Sequence, residues 1–228
     1  MHFGWDDPPR VVGHRGSPTE APENTLASFR AAWDAGARAI ELDVRMTRDG
    51  VLVVHHDAEL GRVLPGEGLV EELQAKALPP ALPTLRDVLT KLPADLLVDA
   101  EIKPDALNAE DVPAALARLV HEAGALDRVL ATSFAPELAE AYGRIVGRPA
   151  GAILPFPPED EDLAAWPTLS WIMLAQDAAI PEVLSKIRAS GRRVGVWTVN
   201  DPRDAEALLA QGASSIITDR PRSLARKT

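Results

Sequence analysis

Short runs of apolar and β-branched residues alternate with longer amphipathic stretches along the whole chain. Eight of these runs predict buried strands, at residues 10–13, 38–43, 96–102, 128–132, 150–154, 170–174, 193–198 and 215–218. The stretches between them place apolar residues on one helical face, as Leu26, Phe29 and Trp33 do. Helix-opening residues precede these stretches and glycines follow them. Eight successive strand–helix units predict an α/β fold, a (β/α)8 TIM barrel.

An open, doubly wound sheet is the alternative architecture. Such a sheet carries a glycine-rich phosphate-binding turn after its first strand. The corresponding turn here is Gly13-His14-Arg15-Gly16, which lacks that pattern, so the barrel is favoured. We predict one domain over residues 1–228, since barrels of about this length often form a single unit.

The second strand is predicted to continue into a β-hairpin. Asp49-Gly50 between two extended arms is a hairpin signal, and a two-residue turn there pairs Arg48 with Val51. Counting back places Asp43 opposite His56. Residues 58–83 then form a short rim insertion, because they are rich in Gly and Pro with a weak helical pattern only around residues 70–77.

Composition limits the classes of partner. The net charge of −10 and pI of about 5.0 disfavour a nucleic-acid partner, and the absence of cysteine excludes thiolate metal sites and disulfides. No apolar run is long enough to span a bilayer, and the N-terminal sequence lacks the features of a signal peptide. We therefore expect a cytoplasmic protein without a stable membrane anchor, and the sequence leaves the oligomeric state open.

Charged residues end two neighbouring predicted strands. Glu41 and Asp43 share one face of the second strand, and Glu101 and Lys103 repeat that spacing on the next. Three carboxylates without cysteine suit one divalent cation, Ca²⁺ or Mg²⁺. The alternative is a set of salt bridges to Arg38, Arg45 and Lys103.

Two histidines are candidate proton carriers. His14 follows the first strand and His56 follows the hairpin, and imidazole titrates near neutral pH. His55 is expected to point away from His56 and to be non-catalytic.

Other residues at strand ends are candidates for substrate contacts. Arg15 and Lys103 are candidates for binding phosphate, with charge balance among the carboxylates as their alternative role. Trp197 and Phe134 lie at the ends of later strands and are candidates for lining a substrate cleft, with core packing as the alternative.

In eight segments, taken in order, the chain resembles the glycerophosphodiester phosphodiesterase family: Gly13-His14-Arg15-Gly16, Pro22-Glu23-Asn24-Thr25, Glu41-Leu42-Asp43, Thr47-Arg48-Asp49-Gly50, His56-Asp57, Glu101-Ile102-Lys103, Trp197-Thr198-Val199-Asn200 and Thr218-Asp219-Arg220-Pro221. The resemblance implies a barrel, one Ca²⁺ or Mg²⁺ ion, and hydrolysis of small-molecule glycerophosphodiesters to glycerol 3-phosphate and an alcohol. It implies metal binding by Glu41, Asp43 and Glu101 and acid–base catalysis by His14 and His56. It further implies phosphate contacts from Arg15 and Lys103 and a supporting role for Asn24. The short insertion lacks the family's usual Thr-rich start, which leaves substrate preference open.

Three alternatives use the same residues. A lysophospholipase D would need an apolar patch near the barrel mouth for an acyl chain. A non-catalytic phosphodiester- or metal-binding protein would not need two proton carriers. A metal-dependent aldolase or isomerase would not usually combine two histidines with an arginine at the first strand.

Overall fold

A computed structural model describes residues 4–225, and within them nine strands and eight α-helices alternate. The strands are β1 (Val11–Gly13), β2 (Ala39–Met46), β3 (Leu52–Val54), β4 (Leu97–Ile102), β5 (Val129–Ser133), β6 (Ala150–Leu154), β7 (Trp171–Ala175), β8 (Arg193–Trp197) and β9 (Ser215–Thr218). All except β3 are parallel, and β1 pairs with both β9 and β2. That double pairing closes the sheet, so the predicted (β/α)8 barrel is confirmed and the open sheet is excluded.

The helices surround the barrel. They are α1 (Leu26–Asp34), α2 (Leu85–Lys91), α3 (Val112–Glu122), α4 (Pro136–Val146), α5 (Asp160–Ala165), α6 (Pro181–Ala189), α7 (Pro202–Ala210) and α8 (Pro221–Ala225). The hydroxyl of Thr25 accepts from Ser28 N and caps α1, and Thr84 and Asp87 form a capping box on α2. Gly147 ends α4 in the left-handed conformation with φ 64°.

The inward-facing positions of β2 and β4 change from apolar to charged along each strand. Ala39 and Leu97 begin the two strands and belong to the core inside the barrel. This inner core also contains Trp5 and Trp171, whose rings meet edge to face at 5.6 Å. The next two inward positions are acidic on both strands, Glu41 and Asp43 on β2 and Asp99 and Glu101 on β4, so the apolar core supports a charged site at the carboxyl ends of the strands.

The hairpin forms, but its predicted register is wrong by one residue. β3 pairs antiparallel with β2 with Val44 opposite Val54, and His55 N donates to Asp43 O at 3.0 Å. Asp43 therefore lies opposite His55 rather than His56. The cause is the loop length, because Thr47 pairs with Val51 and leaves three loop residues instead of two. The Thr47 hydroxyl donates to Asp49 and accepts from Val51 N, which stabilises the longer loop.

Residues 58–83 pack against the hairpin. The predicted helical patch is two 3₁₀ turns, Val70–Glu72 and Ala75–Ala77. Apolar side chains of this segment form a small cluster with the hairpin: Val53, Leu60, Val70, Leu78 and Leu82, with Val51, Leu64 and Leu73 partly buried against them. The insertion thus uses most of its apolar residues for its own packing.

Residues 1–3 and 226–228, the two ends of the predicted single domain, lie outside the described residues, so that boundary stays a prediction. Between residues 4 and 225, no helix combines the length and the apolar character that crossing a bilayer requires. The cytoplasmic location and the absence of a nucleic-acid partner also stay predictions.

Candidate active site

Three buried carboxylates meet at the carboxyl ends of β2 and β4. Glu41, Asp43 and Glu101 each present one oxygen, and these oxygens lie within 4.8 Å of one another. Asp43 pairs with Glu101 in the sheet register, which places the two acids side by side on adjacent strands. The structure therefore brings together the three acids that the sequence selected.

The environment of these acids separates their pKa values. Burial and the charge of Asp43 raise the pKa of Glu41 and of Glu101 to about 7. Burial also opposes the charge of Asp43, but Lys103 and Arg15 outweigh it and hold its pKa below the usual range. Three acids this close repel one another, so a bound cation would stabilise them all in the ionised form.

The donor set fits a hard divalent cation. Every candidate ligand is a carboxylate oxygen, the type that Mg²⁺ and Ca²⁺ prefer. Glu41 Oε1 is buried and has no hydrogen-bond partner among the described residues, although a buried carboxylate oxygen normally has one. A metal–oxygen bond would satisfy this atom. The triad could thus hold one divalent ion.

His14 is oriented by a carboxylate from the end of the barrel. Its Nδ1 lies 2.7 Å from Asp219 Oδ1, and its Nε2 lies 3.9 Å from Glu41 Oε2. Burial lowers the pKa of His14, but the hydrogen bond to Asp219 and the charge of Glu41 outweigh burial, and the pKa is raised. A carboxylate on Nδ1 fixes the tautomer and leaves Nε2 for a substrate.

Asn200 holds Asp219 in place. Asn200 Nδ2 donates to Asp219 Oδ2 at 2.8 Å, and Asn200 Oδ1 accepts from Thr218 Oγ1 and from Asp219 N, both at 3.0 Å. These bonds define which way the Asn200 amide points.

His56 has a matching arrangement. Its Nδ1 lies 2.7 Å from Asp57 Oδ1, and Arg62 of the insertion donates to the same carboxylate. Hydrogen bonds from Arg62 and His56 hold the pKa of Asp57 well below its usual range, against the effect of burial. His55 is buried, and its Nε2 lies 3.2 Å from Glu59 O, away from the cavity residues.

Two cations lie among the acids. Lys103 Nζ donates to Glu101 Oε1 at 2.6 Å and to Asp43 Oδ1 at 3.2 Å. Arg15 Nη1 donates to Glu23 Oε1 at 2.8 Å, and Arg15 Nε lies 3.3 Å from Asp43 Oδ2 without the alignment of a hydrogen bond. Asn24 Nδ2 donates to Asp43 Oδ2 at 2.7 Å. Each cation thus combines charge balance with N–H groups next to the cavity.

These residues surround a cavity of about 190 Å³ with two unlike sides. Its polar side is lined by His14, Arg15, Glu41, His56, Asp99, Glu101, Lys103 and Thr132, and its apolar side by Phe134, Ile153, Met173, Trp197 and Ile217. The rings of Phe134 and Trp197 meet edge to face at 5.6 Å. The cavity can therefore accept a small molecule that has a charged group and a carbon skeleton.

A groove of about 380 Å³ adjoins the cavity on the His56 side. It shares His56, Lys103 and Phe134 with the cavity and is completed by Arg45, Asp57, Ala58, Pro104 and Asp105. A molecule larger than the cavity can extend past His56 into this groove.

Comparison with known proteins identifies the family. The sequence model of the glycerophosphoryl diester phosphodiesterase family matches residues 14–223, which include both histidines and all three acids. The chain belongs to this family. It is accordingly an enzyme, a phosphodiesterase, and the predicted resemblance is confirmed.

Individual members show how far the likeness extends. A probable glycerophosphodiester phosphodiesterase 2 of Mycobacterium tuberculosis is 30% identical, with 92% of this chain and 87% of that protein covered. A glycerophosphodiester phosphodiesterase of Caldanaerobacter subterraneus is 28% identical, with 94% and 95% covered. A solved phosphodiesterase of Oleispira antarctica, in complex with the product sn-glycerol-3-phosphate, is 27% identical with a TM-score of 0.87, covering 96% of this chain and 97% of its own.

In this phosphodiesterase the structure gathers every predicted site residue at one mouth: Glu41, Asp43, Glu101, His14, His56, Arg15, Lys103 and Trp197. No role was predicted for Asp219, Asn200 or Arg62, although Asp219 and Asn200 lie in segments that resemble the family. It also missed Asp99, a buried acid that accepts from Thr132 Oγ1 at 2.7 Å and whose pKa burial raises to about 7. The signal for Asp99 was its spacing, since it lies two residues before Glu101 on the same strand face.

Proposed function

We propose that this phosphodiesterase hydrolyses glycerophosphodiesters to glycerol 3-phosphate and an alcohol, with His14 and His56 as the acid–base pair and one Ca²⁺ or Mg²⁺ ion as cofactor. One observation carries the proposal: two imidazoles from different parts of the chain, each held at Nδ1 by a carboxylate, line one cavity with the acidic triad. The glycerol 3-phosphate product in the Oleispira antarctica structure supports the substrate class.

The phosphate would lie at the charged side of the cavity. Arg15 and Lys103 offer N–H donors there, and charge-assisted hydrogen bonds to phosphate oxygens are among the strongest that side chains make. Glu41, Asp43 and Glu101 would hold the cation, which when bound neutralises charge on the phosphoryl oxygens. The glycerol group fits the remaining cavity, where polar and apolar side chains face each other.

The alcohol would occupy the groove beside His56, because that groove is the open continuation of the cavity. His56 is then the group next to the leaving oxygen and protonates it. His14, which follows β1, removes the proton from the attacking oxygen, which is either water or the neighbouring glycerol hydroxyl. In the second case the alcohol leaves from a cyclic phosphate, which water must then open to give glycerol 3-phosphate. General acid–base catalysis of this kind contributes about 10²- to 10⁴-fold to the rate.

Leaving-group dependence tests this assignment. On glycerophosphocholine, His56→Ala should lower kcat by about 10²- to 10⁴-fold. On the nitrophenyl ester of glycerol 3-phosphate, whose leaving group needs no proton, the same variant should lose much less. His14→Ala should lower both rates alike, and His121→Ala, on the exposed face of α3, serves as the control. Near-wild-type turnover of glycerophosphocholine by either active-site variant would refute the mechanism.

The cofactor is tested on the unaltered enzyme. A chelator should abolish turnover, and addition of Mg²⁺ or Ca²⁺ should restore it, with the better ion identified by its half-activating concentration. Activity that survives complete chelation would contradict the role given to the triad.

Lysophospholipase D activity is a second candidate, which one observation favours. Among the described residues, four of the five exposed large apolar side chains follow consecutive barrel strands at the catalytic mouth: Leu107, Phe134, Phe156 and Ile180. Phe134 also lines the cavity, so an acyl chain on the glycerol could pass over this apolar arc. Release of choline from glycerophosphocholine and from lysophosphatidylcholine separates the two activities. If the arc binds acyl chains, Phe156→Ser should slow only the second.

A further inference from the structure

Arg45 is a fully buried cation that the proposed mechanism does not use. It lies on β2 two residues beyond Asp43, so its side chain shares the inward face of the strand above the acidic triad. Its side chain is 1% exposed. Burying a guanidinium costs several kcal/mol unless its N–H groups are paired, and the positions of its partners therefore matter.

Two of those bonds reach the backbone of a catalytic residue. Arg45 Nε donates to His56 O at 3.0 Å, and Arg45 Nη2 donates to the same oxygen at 2.8 Å. β3 ends at Val54, so no strand pairing holds the chain at residue 56. The Nε and Nη2 groups of Arg45 form a fork on this one oxygen. They thus take the place of sheet hydrogen bonds at the point where the chain turns toward the cavity.

Arg45 is itself held from two sides. Glu71, a buried residue of the insertion, accepts from Arg45 Nη1 at 2.8 Å. Asp105, which follows β4, accepts from Nη2 through both oxygens at 2.9 and 3.0 Å. The insertion and the segment after β4 therefore fix the position of the guanidinium. Its bonds to His56 O in turn restrict the position of the His56 backbone.

We propose that Arg45 is a positioning residue that holds the His56 backbone, so that the imidazole meets the leaving oxygen. The proposal rests on the catalytic role given to His56. A planar guanidinium can hold one oxygen through two N–H groups, which an ammonium cannot do in the same geometry. Arg45→Lys keeps a positive charge for Glu71 and Asp105 but loses this fork.

A misplacement of about 1 Å can cost about 10²-fold in rate, so Arg45→Lys should lower kcat on glycerophosphocholine by about 10- to 100-fold, with KM little changed. The loss should be much smaller on the nitrophenyl ester, as for His56→Ala. In the His56→Ala background, the lysine substitution should change the residual kcat on glycerophosphocholine by less than about 2-fold, because its effect requires the imidazole that this variant lacks.

Arg192→Lys is the matched control. Arg192 also clamps backbone carbonyls, donating to Leu169 O at 3.0 Å and to Leu163 O and Trp166 O at 2.7 and 2.8 Å, and it lies before β8 at the opposite end of the barrel. It should lower the melting temperature without changing kcat. If Arg45→Lys does not fold, Glu71→Gln is the second test, because it keeps the shape of the side chain that holds Arg45 but removes its charge. This variant should reduce kcat by about 3-fold or more, with the same dependence on the leaving group.

These experiments distinguish a failure of the role given to His56 from a failure of the positioning by Arg45. Near-wild-type turnover of glycerophosphocholine by His56→Ala would overturn the role of His56, and with it the positioning by Arg45. An inactive His56→Ala variant together with a fully active Arg45→Lys variant would overturn the positioning alone. Equal losses of kcat on glycerophosphocholine from Arg45→Lys in the wild-type and His56→Ala backgrounds would also overturn it, because they indicate a purely structural residue.

Discussion

The tautomer of the His14 ring depends on a chain of hydrogen bonds that runs through Asp219 to Asn200. A single isosteric substitution at Asp219 should change that tautomer. In Asp219→Asn, the amide group faces two partners: His14 Nδ1 on one side and Asn200 Nδ2, an N–H donor, on the other. The new residue can place its oxygen toward only one of them. If the oxygen meets Asn200, its NH₂ group faces His14 and forces the tautomer that leaves Nε2 protonated.

The magnitude follows from what holds Asn200. To let the new oxygen face His14, the Asn200 amide must flip and give up its acceptor bonds from Thr218 Oγ1 and Asp219 N. Two hydrogen bonds of about 1 kcal/mol each amount to about 2 kcal/mol. At 1.4 kcal/mol per factor of ten, the productive tautomer falls to a few per cent, and kcat/KM should fall by roughly 25-fold or more. Loss of the hydrogen bond to the Asp219 carboxylate also removes one of the causes of the raised pKa of His14, beside the charge of Glu41, and leaves the imidazole a weaker base.

The double variant Asn200→Asp with Asp219→Asn should recover part of the activity. The carboxylate introduced at position 200 can accept from the amide introduced at position 219. It can still accept from the Thr218 hydroxyl and from the backbone N–H of residue 219, so the amide oxygen at position 219 turns to His14. The assay is kcat/KM on glycerophosphocholine, and ¹⁵N shifts of the His14 ring report the tautomer. The reasoning is refuted if Asp219→Asn stays within about 3-fold of wild type, or if the double variant is no better than the single one.

Three further outcomes are expected. Arg62→Ala removes the hydrogen bonds that contribute most to the low pKa of Asp57, so that pKa should rise in an NMR titration of the Asp57 carboxyl group; Arg86→Ala, which breaks a surface ion pair with Glu122, should leave it unchanged. Glu41→Gln should raise the half-activating metal concentration by about 100-fold or more, and an unchanged value would contradict its place in the triad. Tyr142 is the single tyrosine, its hydroxyl is buried without a partner among the described residues, and burial raises its pKa. The unfolded chain ionises tyrosine near pH 10 while the folded one does not, so stability should fall above about pH 10. Tyr142→Phe should lose that dependence and match or exceed wild type by about 1 kcal/mol at pH 7 in urea unfolding.

The sequence predicts the parts of the site that depend on strand alternation. A strand repeats every two residues, so Glu41 with Asp43 and Glu101 with Lys103 had to share faces, and neighbouring parallel strands had to bring them together. The number of strand–helix units likewise predicts closure of the barrel. These features are local or follow from a rule that applies to every parallel barrel.

Pairings across long stretches of chain were outside the reach of this reasoning. Asp219 and His14 are 205 residues apart, and nothing in either segment indicates that one carboxylate meets that imidazole. The register error has a different cause. A two-residue turn at Asp49-Gly50 is the favoured geometry, but the Thr47 side chain bonds Asp49 and Val51 N and stabilises a three-residue loop. His56 still reaches the cavity because β3 stops two residues earlier.

The role of residues 58–83 changes once these contacts are combined. From sequence the segment was a rim insertion bearing on substrate preference, with the chemistry elsewhere. Its Arg62 donates to Asp57, the partner of His56, and at 2.6 Å to Glu23, the partner of Arg15, while its Glu71 anchors Arg45. The insertion therefore supports His56 through both side chain and backbone, and links it through Glu23 to Arg15. Most apolar side chains of the insertion pack against the hairpin and are not free to form an acyl-binding surface. We therefore expect the insertion to act by holding His56 and Arg45 in position.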